Sequence, residues 1–535
     1  MRRRIYLTLV VLLSLSFATT IQVEAIHAAD SSKPVDADIL LKGGTVFDGS
    51  GSKGKVGDVA IKGDKIVGVG TFRVKSVKQE IDCKGLLVAP GFIDLHNHSD
   101  TQIVTPKLRA NVNYLTQGCT TIVTGNCGSG PIDVAEYLAK INADGAGTNV
   151  AHLLAQGSLR AHVVGSVQRT AKPAEIAKMR ELADKAMRDG AWGMTTGLIY
   201  VPSSYADTDE LTEIAKVIGK HGGIYASHIR GEGKDLLESI REAIKIGREA
   251  KCPIHISHFK ASGEDAWGLV RPASEMIEAA RKDGLTVTAD QYPYIASSTS
   301  LDATLLPTWS LAGGREKLLE RLKDKKQSAR IRTFVAKKLD QARGGAAIKL
   351  TSYAAKPAWV GRSLVEIAES ENSTPLDIAI TIFRHGGAGI VNFGMSEEDV
   401  RFVMQQPWVA TASDGRAYLP SSDKPHPRSY GTFPRKIGEY AIREEVIPIE
   451  AAIRSCTALP AWIIGMTDRG LLKPGLFADI VVLDQKTFRD TATFDEPHQY
   501  ATGMKFVFVN GEAAIRDGEV TETLAGRGLK RPNAK

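Results

Sequence analysis

The chain has 535 residues, 43% of them hydrophobic and 24% charged. That is ordinary for a soluble globular protein and long enough for a large core and more than one domain. The formal charge is +7, and Arg2, Arg3 and Arg4 cluster part of it at the extreme N-terminus, so the rest is too dilute to argue for nucleic acid.

The first element reads as an export signal. Arg2-Arg3-Arg4 precedes a mostly apolar run from Ile5 to Ala18, shorter than the roughly 20 residues that span a bilayer. Small and polar residues follow, with Val23-Glu24-Ala25, Ala28 or Ala29 as cleavage points. Residues 1–29 are expected to be removed, leaving an exported protein, periplasmic or secreted and free of the membrane. Five cysteines, at 83, 119, 127, 252 and 456, are odd in number and widely spaced, which does not suggest a disulfide framework even in an oxidising compartment and leaves at least one unpaired. A thiol committed to a metal is one reason to keep an unpaired cysteine.

From residue 36 to residue 90 the pattern is β. Asp38–Lys42, Asp58–Lys62 and Lys65–Val69 are short strands, and Lys62-Gly63-Asp64-Lys65 supplies a hairpin turn. The pattern returns over residues 471–525 with Ala478–Asp484, Phe506–Glu512 and Ala513–Arg516, and Asn510-Gly511 is a second hairpin signal. The two ends are expected to pair into one small sandwich, because two separate β pieces would each be marginal.

Residues 91–470 alternate strand and helix. Strand-like runs occur at Phe92–Leu95, Thr120–Thr124, Val150–Ala155, Gly193–Thr196, Gly223–Ser227, Ile254–Ser257, Leu285–Ala289, Gly389–Phe393 and Trp408–Ala412. That is one more than an eight-stranded barrel needs. Amphipathic helices stand between them, as at Ala174–Asp189 and Asp235–Ala250. The alternation predicts an α/β class protein with a parallel barrel or open sheet. Residues 295–387 interrupt the rhythm, and Arg315–Arg343 is helical in pattern and rich in Lys and Arg. Two readings of this insertion stand side by side: part of a lid over the mouth of the barrel, or a solvated helical hairpin without a catalytic role.

The chemistry lies where strand candidates end. His96 and His98 are spaced i, i+2, so on a strand they project to one face and can clamp a metal such as zinc. Cys127 follows a strand in the glycine-flanked turn Gly125-Asn126-Cys127-Gly128. His228 and His258 each end a strand, and Asp414 follows Ala410-Thr411-Ala412-Ser413. In an α/β barrel such strand ends carry the active site. His221 and His255 are read instead as satisfied polar residues.

His96-x-His98, Asn126-Cys127-Gly128, Ser227-His228-Ile229-Arg230, Ile256-Ser257-His258-Phe259-Lys260, Ala412-Ser413-Asp414-Gly415 and His426-Pro427-Arg428 form an ordered set. Together they resemble the D-aminoacylase branch of the amidohydrolase superfamily. The resemblance implies a metal-dependent (β/α)8 TIM-like barrel with a small β-sandwich domain built from both termini. It also implies hydrolysis of N-acyl amino acids, of D configuration. By motif, Cys127, His228 and His258 correspond to a tight zinc site, His96 and His98 to a weaker second position, and Asp414 to the catalytic base. Tyr200, Lys260, Tyr292 or Tyr294, and Arg428 correspond to groups that hold the substrate's free carboxylate, work suited to a bidentate fork, a point charge and hydroxyl donors. The partner is then a small-molecule N-acyl amino acid. Alternatives are another amidohydrolase reaction, such as dipeptide or cyclic-amide hydrolysis, or a non-catalytic scaffold homologue.

Overall fold

A computed structural model describes residues 34–532; the export signal expected in residues 1–29 lies outside the described residues. Strands β1 (Val35–Val46), β2 (Lys55–Lys62), β3 (Lys65–Gly70), β4 (Val74–Asp82) and β5 (Leu87–Pro90) come first. β6 (Phe92–Asp94), β7 (Cys119–Thr124), β8 (Asn149–His152), β9 (Leu154–Ala155), β10 (Gly193–Gly197), β11 (Ile224–His228), β12 (Ile254–Ile256) and β13 (Val287–Gln291) follow, separated mainly by helices. Then come β14 (Ser297–Ser300), β15 (Ile348–Ser352), β16 (Gly389–Asn392) and β17 (Val409–Thr411), and finally β18 (Ile480–Leu483), β19 (Met504–Val509), β20 (Glu512–Arg516) and β21 (Glu519–Val520).

Both ends of the described chain meet in a single nine-stranded sheet, ordered β21-β20-β19-β18-β5-β1-β2-β3, with β4 on β1. The junction is antiparallel, Val482 opposite Val88. Leu41, Val59, Ile61, Val88, Ile480, Val482 and Phe508 form its buried side. The pairing of the two ends agrees with the period-2 alternation in both segments, neither of which could bury its apolar face alone; they join in one continuous sheet.

The middle of the chain is α/β with parallel strands. β6-β7-β8 form one sheet and β9-β10-β11-β12-β13-β17 another, parallel throughout. Only Leu153 separates β8 from β9, and at the other edges Asn97 bridges Gly415 in parallel. Every residue of β7, β10, β11 and β13 is buried, as expected of parallel strands covered on both faces. The helix Pro173–Asp189 sinks Met179, Ala183, Ala186 and Met187, and Leu236–Ala250 sinks Leu236, Ile240, Ile244 and others.

The expectation for Gly389–Phe393 needs correcting. That run is β16, paired antiparallel between β14 and β15 in a separate three-stranded sheet. A short apolar run fits any buried strand, so periodicity could not assign it. Its removal leaves eight parallel strands when β8 and β9 count as one. β16 belongs to the inserted segment, which has its own core of Leu318, Leu322, Ile331, Val335, Leu339, Ile367, Ile382 and Phe383. The helices Arg315–Lys323 and Lys325–Gln341 supply several of these residues. Phe334, Lys337 and Lys338 from the second helix also wall a cavity that reaches the site described below.

The last described residues run back along the body. Gly526 bridges Ala146 and Gly528 bridges Val150, Trp192 Nε1 donates to the Leu529 carbonyl at 2.8 Å, and Arg531 donates to the Gly222 carbonyl at 2.6 Å. All five cysteines are buried and free. Among the described residues, no helix is long and apolar enough to cross a membrane.

Candidate metal centre

Each motif residue stands just at or beyond the C-terminal end of a parallel strand. His96 and His98 follow β6, Cys127 lies in the short turn after β7, His228 closes β11, His258 follows β12 and Asp414 follows β17. Three of these adopt left-handed backbone: Cys127 at φ 51°, His258 at φ 39° and Asp414 at φ 51°. Non-glycine residues rarely sit there, and such strain gathers where function dictates side-chain direction. Gly125 makes the Cys127 turn possible, since a Cβ there would lie 1.9 Å from the Leu153 carbonyl oxygen.

The side chains converge. Cys127 Sγ is 3.3 Å from His96 Nε2, 3.7 Å from His228 Nδ1 and 3.7 Å from His258 Nε2. Two sets emerge, Cys127-His228-His258 and His96-His98-Cys127-Asp414, each with its ligand atoms within 4.8 Å of one another. Burial alone would push the Cys127 thiol up. The charge on His96 and hydrogen bonds from His228, His258 and His96 outweigh it and hold the thiol well below its ordinary value. Burial likewise opposes a charge on His98, yet hydrogen bonds to Asp414 and Cys127 raise it to about 9. A buried thiolate among crowded imidazoles, with His228 Nε2 left without a partner, is a donor set that a soft-to-borderline dication fits. Binding one displaces the protons, because ligands must be deprotonated.

Two carboxylates not singled out from the sequence orient these ligands. Asp290 Oδ2 lies 3.3 Å from His96 Nδ1 and 2.8 Å from His255 Nε2, while Oδ1 accepts from the His258 backbone N–H at 2.7 Å. Glu232 Oε1 is 2.8 Å from His258 Nδ1 and 2.6 Å from Lys260 Nζ. In both cases one ring nitrogen is tied back and Nε2 is aimed at Cys127, the arrangement by which outer groups fix a ligand's tautomer and direction. Burial would raise Glu232, but Lys260, His228 and His258 outweigh it and keep it charged. A third buried acid, Asp94, accepts from the Ser413 N–H at 2.8 Å and from Asn97 Nδ2 at 2.8 Å, tying the end of β6 to the loop that carries Asp414. His255 is satisfied by Asp290 and Thr288, and His221 by Asp184, as read from the sequence.

Asp414 lies 3.0 Å from His98 Nε2 and 2.7 Å from Arg428 Nη1. Burial would raise its carboxyl, but Arg428, His96 and His258 hold it well below the usual range, so it is ionised. Arg428 Nη1 makes this ion pair without hydrogen-bond alignment, and its Nη2 donates to the Ser298 carbonyl at 3.2 Å.

Two cavities, of about 680 and 650 Å³, meet at Asp414, Tyr200, Ser298 and Thr299. Tyr200 packs on the His228 ring, and its hydroxyl is 2.9 Å from Thr299 Oγ1. Lys260 and Tyr292 line the second cavity, with the Arg428 guanidinium 4.7 Å from the Tyr292 ring centre. Of the two tyrosines left open, Tyr292 is therefore beside the site. Tyr294 packs under Arg435, against His426 and Phe494, and lines neither cavity.

A family model described as "Amidohydrolase family" matches residues 79–520. The chain is 36% identical over 524 residues to a D-aminoacylase of Alcaligenes xylosoxydans xylosoxydans, covering 93% of this chain and 98% of that protein. A solved D-aminoacylase, studied for the functional role of its binuclear metal centre, matches with a TM-score of 0.80 at 34% identity, over 92% of this chain and 100% of that one. An N-acyl-D-glutamate deacylase from Bordetella bronchiseptica, complexed with zinc and a phosphonate inhibitor, matches at 0.79 and 30% identity, over 93% of this chain and 100% of that one.

Proposed function

Because the chain belongs to the amidohydrolase family, in its D-aminoacylase branch, we propose that it is a zinc-dependent hydrolase of N-acyl-D-amino acids. It releases a carboxylate and a free amino acid. The observation that carries this reading is the convergence of one cysteine, four histidines and an aspartate at the strand ends, where two cavities meet. The eight parallel strands are taken as one closed (β/α)8 barrel over residues 91–470, supported by the Asn97–Gly415 bridge. Residues 36–90 and 471–525 are read as the small β-sandwich, its two parts joined in one sheet through β5 and β18, and the protein as exported by a signal in residues 1–29 that is then cleaved.

Cys127, His228 and His258 hold the tight zinc, and His96 and His98 the weaker second position. Bound there, a metal would supply polarisation of the amide carbonyl and would lower the pKa of water from about 15.7 towards about 7. Asp414 takes the proton of the attacking water and later gives it to the departing amine; one carboxylate serves both steps because they are sequential. Arg428, Lys260 and Tyr292 hold the substrate carboxylate, and Tyr200 closes over the reacting amide. A panel of N-acetyl-D- and N-acetyl-L-amino acids plus a hydantoin, run with metal analysis on the same preparation, tests this. Turnover confined to D-acyl amino acids is expected; turnover of the hydantoin alone would overturn the reading.

Arg428 yields a sharper test. A lysine replaces the bidentate fork with a point charge, so Arg428→Lys is expected to raise KM severalfold for acyl amino acids, with kcat changed less. Substrates whose carboxylate is amidated should be poor for the parent enzyme and nearly indifferent to the change. Because Arg428 also touches Asp414, an equal fall in kcat for both substrate types would show that Arg428 serves the base rather than the substrate.

A further inference from the structure

Arg230 stands two residues beyond His228 and lines the second cavity, where a free guanidinium would compete for the substrate carboxylate. It is not free. Nε donates to Glu242 Oε2 at 3.0 Å, and Nη2 donates to Glu242 Oε1 at 2.9 Å and to the Ala206 carbonyl at 3.0 Å. Nη1 donates to the Ser204 carbonyl at 3.2 Å. Every nitrogen of the fork is engaged by a protein oxygen, and the Glu242 carboxylate offsets its charge. Glu242 is itself fixed: it belongs to the helix Leu236–Ala250, only 15% of its side chain is exposed, and Thr208 Oγ1 donates to it at 2.9 Å. An arginine spent in this way serves the backbone it grips, not a ligand.

That backbone is the loop between β10 and the helix Thr208–Lys220, which carries Tyr200. At the start of the loop the Leu198 N–H donates to the His228 carbonyl at 3.0 Å. Further on, the Ser204 N–H donates to the Tyr200 carbonyl at 2.8 Å. Ser204 therefore joins Tyr200 on its N–H side to Arg230 on its carbonyl side. The opposite flank is held as well: Ser203 Oγ donates to Gln156 Oε1 at 2.5 Å, and Gln156 Nε2 donates at 3.2 Å to Glu210, which also accepts from Arg160 Nε at 3.0 Å. These four side chains are buried. Two arginine–glutamate pairs thus hold one loop from two sides, and Arg230 is the one that starts from the strand end supplying His228. The Tyr200 ring lies edge-on to the His228 ring, 5.2 Å between centroids, with its hydroxyl 2.9 Å from Thr299 Oγ1.

We infer that Arg230 is a positioning residue for Tyr200: with Glu242 it locks the Tyr200 loop to the end of β11, so that the ring sits on His228 and the hydroxyl reaches the substrate. The inference rests on the deacylase reading above, in which Tyr200 meets the substrate, and adds a residue that acts on the reaction without touching it. Lysine cannot take its place. A point charge can pair with Glu242 or donate to one carbonyl, but it has no planar fork to span the carboxylate and two carbonyls at once. A loosened loop lets Tyr200 drift, and a misplacement of about 1 Å can cost a substrate-orienting contact up to about 10²-fold.

A double-mutant cycle separates positioning from plain stability. The parent, Arg230→Lys, Tyr200→Phe and the double variant, each loaded with zinc, are assayed on the N-acetyl-D-amino acid the parent turns over fastest, with zinc content measured on the same preparations. Tyr200→Phe is expected to lower kcat/KM about tenfold, the worth of a hydrogen bond to a charged group. Arg230→Lys is expected to lower it by about the same factor in the parent, but by less than about twofold in the Tyr200→Phe background, with zinc retained throughout. A loop that no longer carries the hydroxyl has nothing left to misplace. Equal losses from Arg230→Lys in both backgrounds, an unchanged rate, or loss of zinc overturns the positioning role and leaves the deacylase reading standing; Tyr200→Phe at full rate overturns it too. Should Arg230→Lys fail to fold, Glu242→Gln, which keeps the arginine and weakens its anchor, completes the cycle with the same expectations. A parent inactive on every N-acyl amino acid overturns the deacylase reading itself.

Discussion

Asp414→Asn is expected to lower kcat by at least about 10²–10⁴-fold, the range typical of general acid–base catalysis, while the tight zinc stays bound and KM changes much less. Asparagine keeps the size and shape of the side chain and removes the proton acceptor together with the charge that faces Arg428 and His98. The argument is geometric first. Asp414 follows β17 in a left-handed backbone conformation, held by Asp94 through Ser413, and its carboxylate faces both cavities. The competing role is that of a metal ligand, since Asp414 groups with His96, His98 and Cys127. Zinc content and kcat measured on one preparation separate the two. An Asn variant that loses zinc and recovers near-normal turnover in excess metal would rule out Asp414 as the base.

Cys127→Ala is expected to strip most of the zinc and the activity with it, whereas His96→Ala should strip little of the tightly held ion. Cys127 belongs to both ligand sets, and a thiolate is the softest donor present. His96 belongs to only one, so its loss leaves Cys127, His228 and His258 intact. Dialysis followed by elemental analysis is the check. A Cys127 variant with full zinc and full rate would sink the ligand assignment. If His96→Ala emptied the site as thoroughly as Cys127→Ala, the weaker position would have to be exchanged with the tighter one.

The side chains that converge at the strand ends were legible in the sequence because each is announced locally. His96 and His98 need only the two-residue period of a strand, and Cys127 sits between glycines that permit its turn. Asp290 and Glu232 carry no such mark, because their work consists in reaching side chains brought near only by the fold: His96 lies far upstream of Asp290, and Lys260 far downstream of Glu232. The choice between Tyr292 and Tyr294 was open for a related reason. Strand alternation would send both to one face, but β13 ends at Gln291, so the rule no longer applies. The chain breaks at Pro293, and the two rings end beside different arginines, Arg428 and Arg435. For the β16 run the failure was one of scale. Four residues suffice to say strand, but the partner strand is chosen by the packing of a whole inserted core.

The nine-stranded sheet that joins both ends has a consequence for the order of events in making this protein. β5 finds its partner only when β18 has been synthesised, and Trp192 and Gly222 wait for residues still nearer the end of the chain. Contacts of such long separation are slow to form, because the loop between them must be closed before they give anything back. A chain that cannot lock early stays partly open for longer, with the apolar edge of β5 uncovered until β18 arrives, and is exposed to aggregation over that interval.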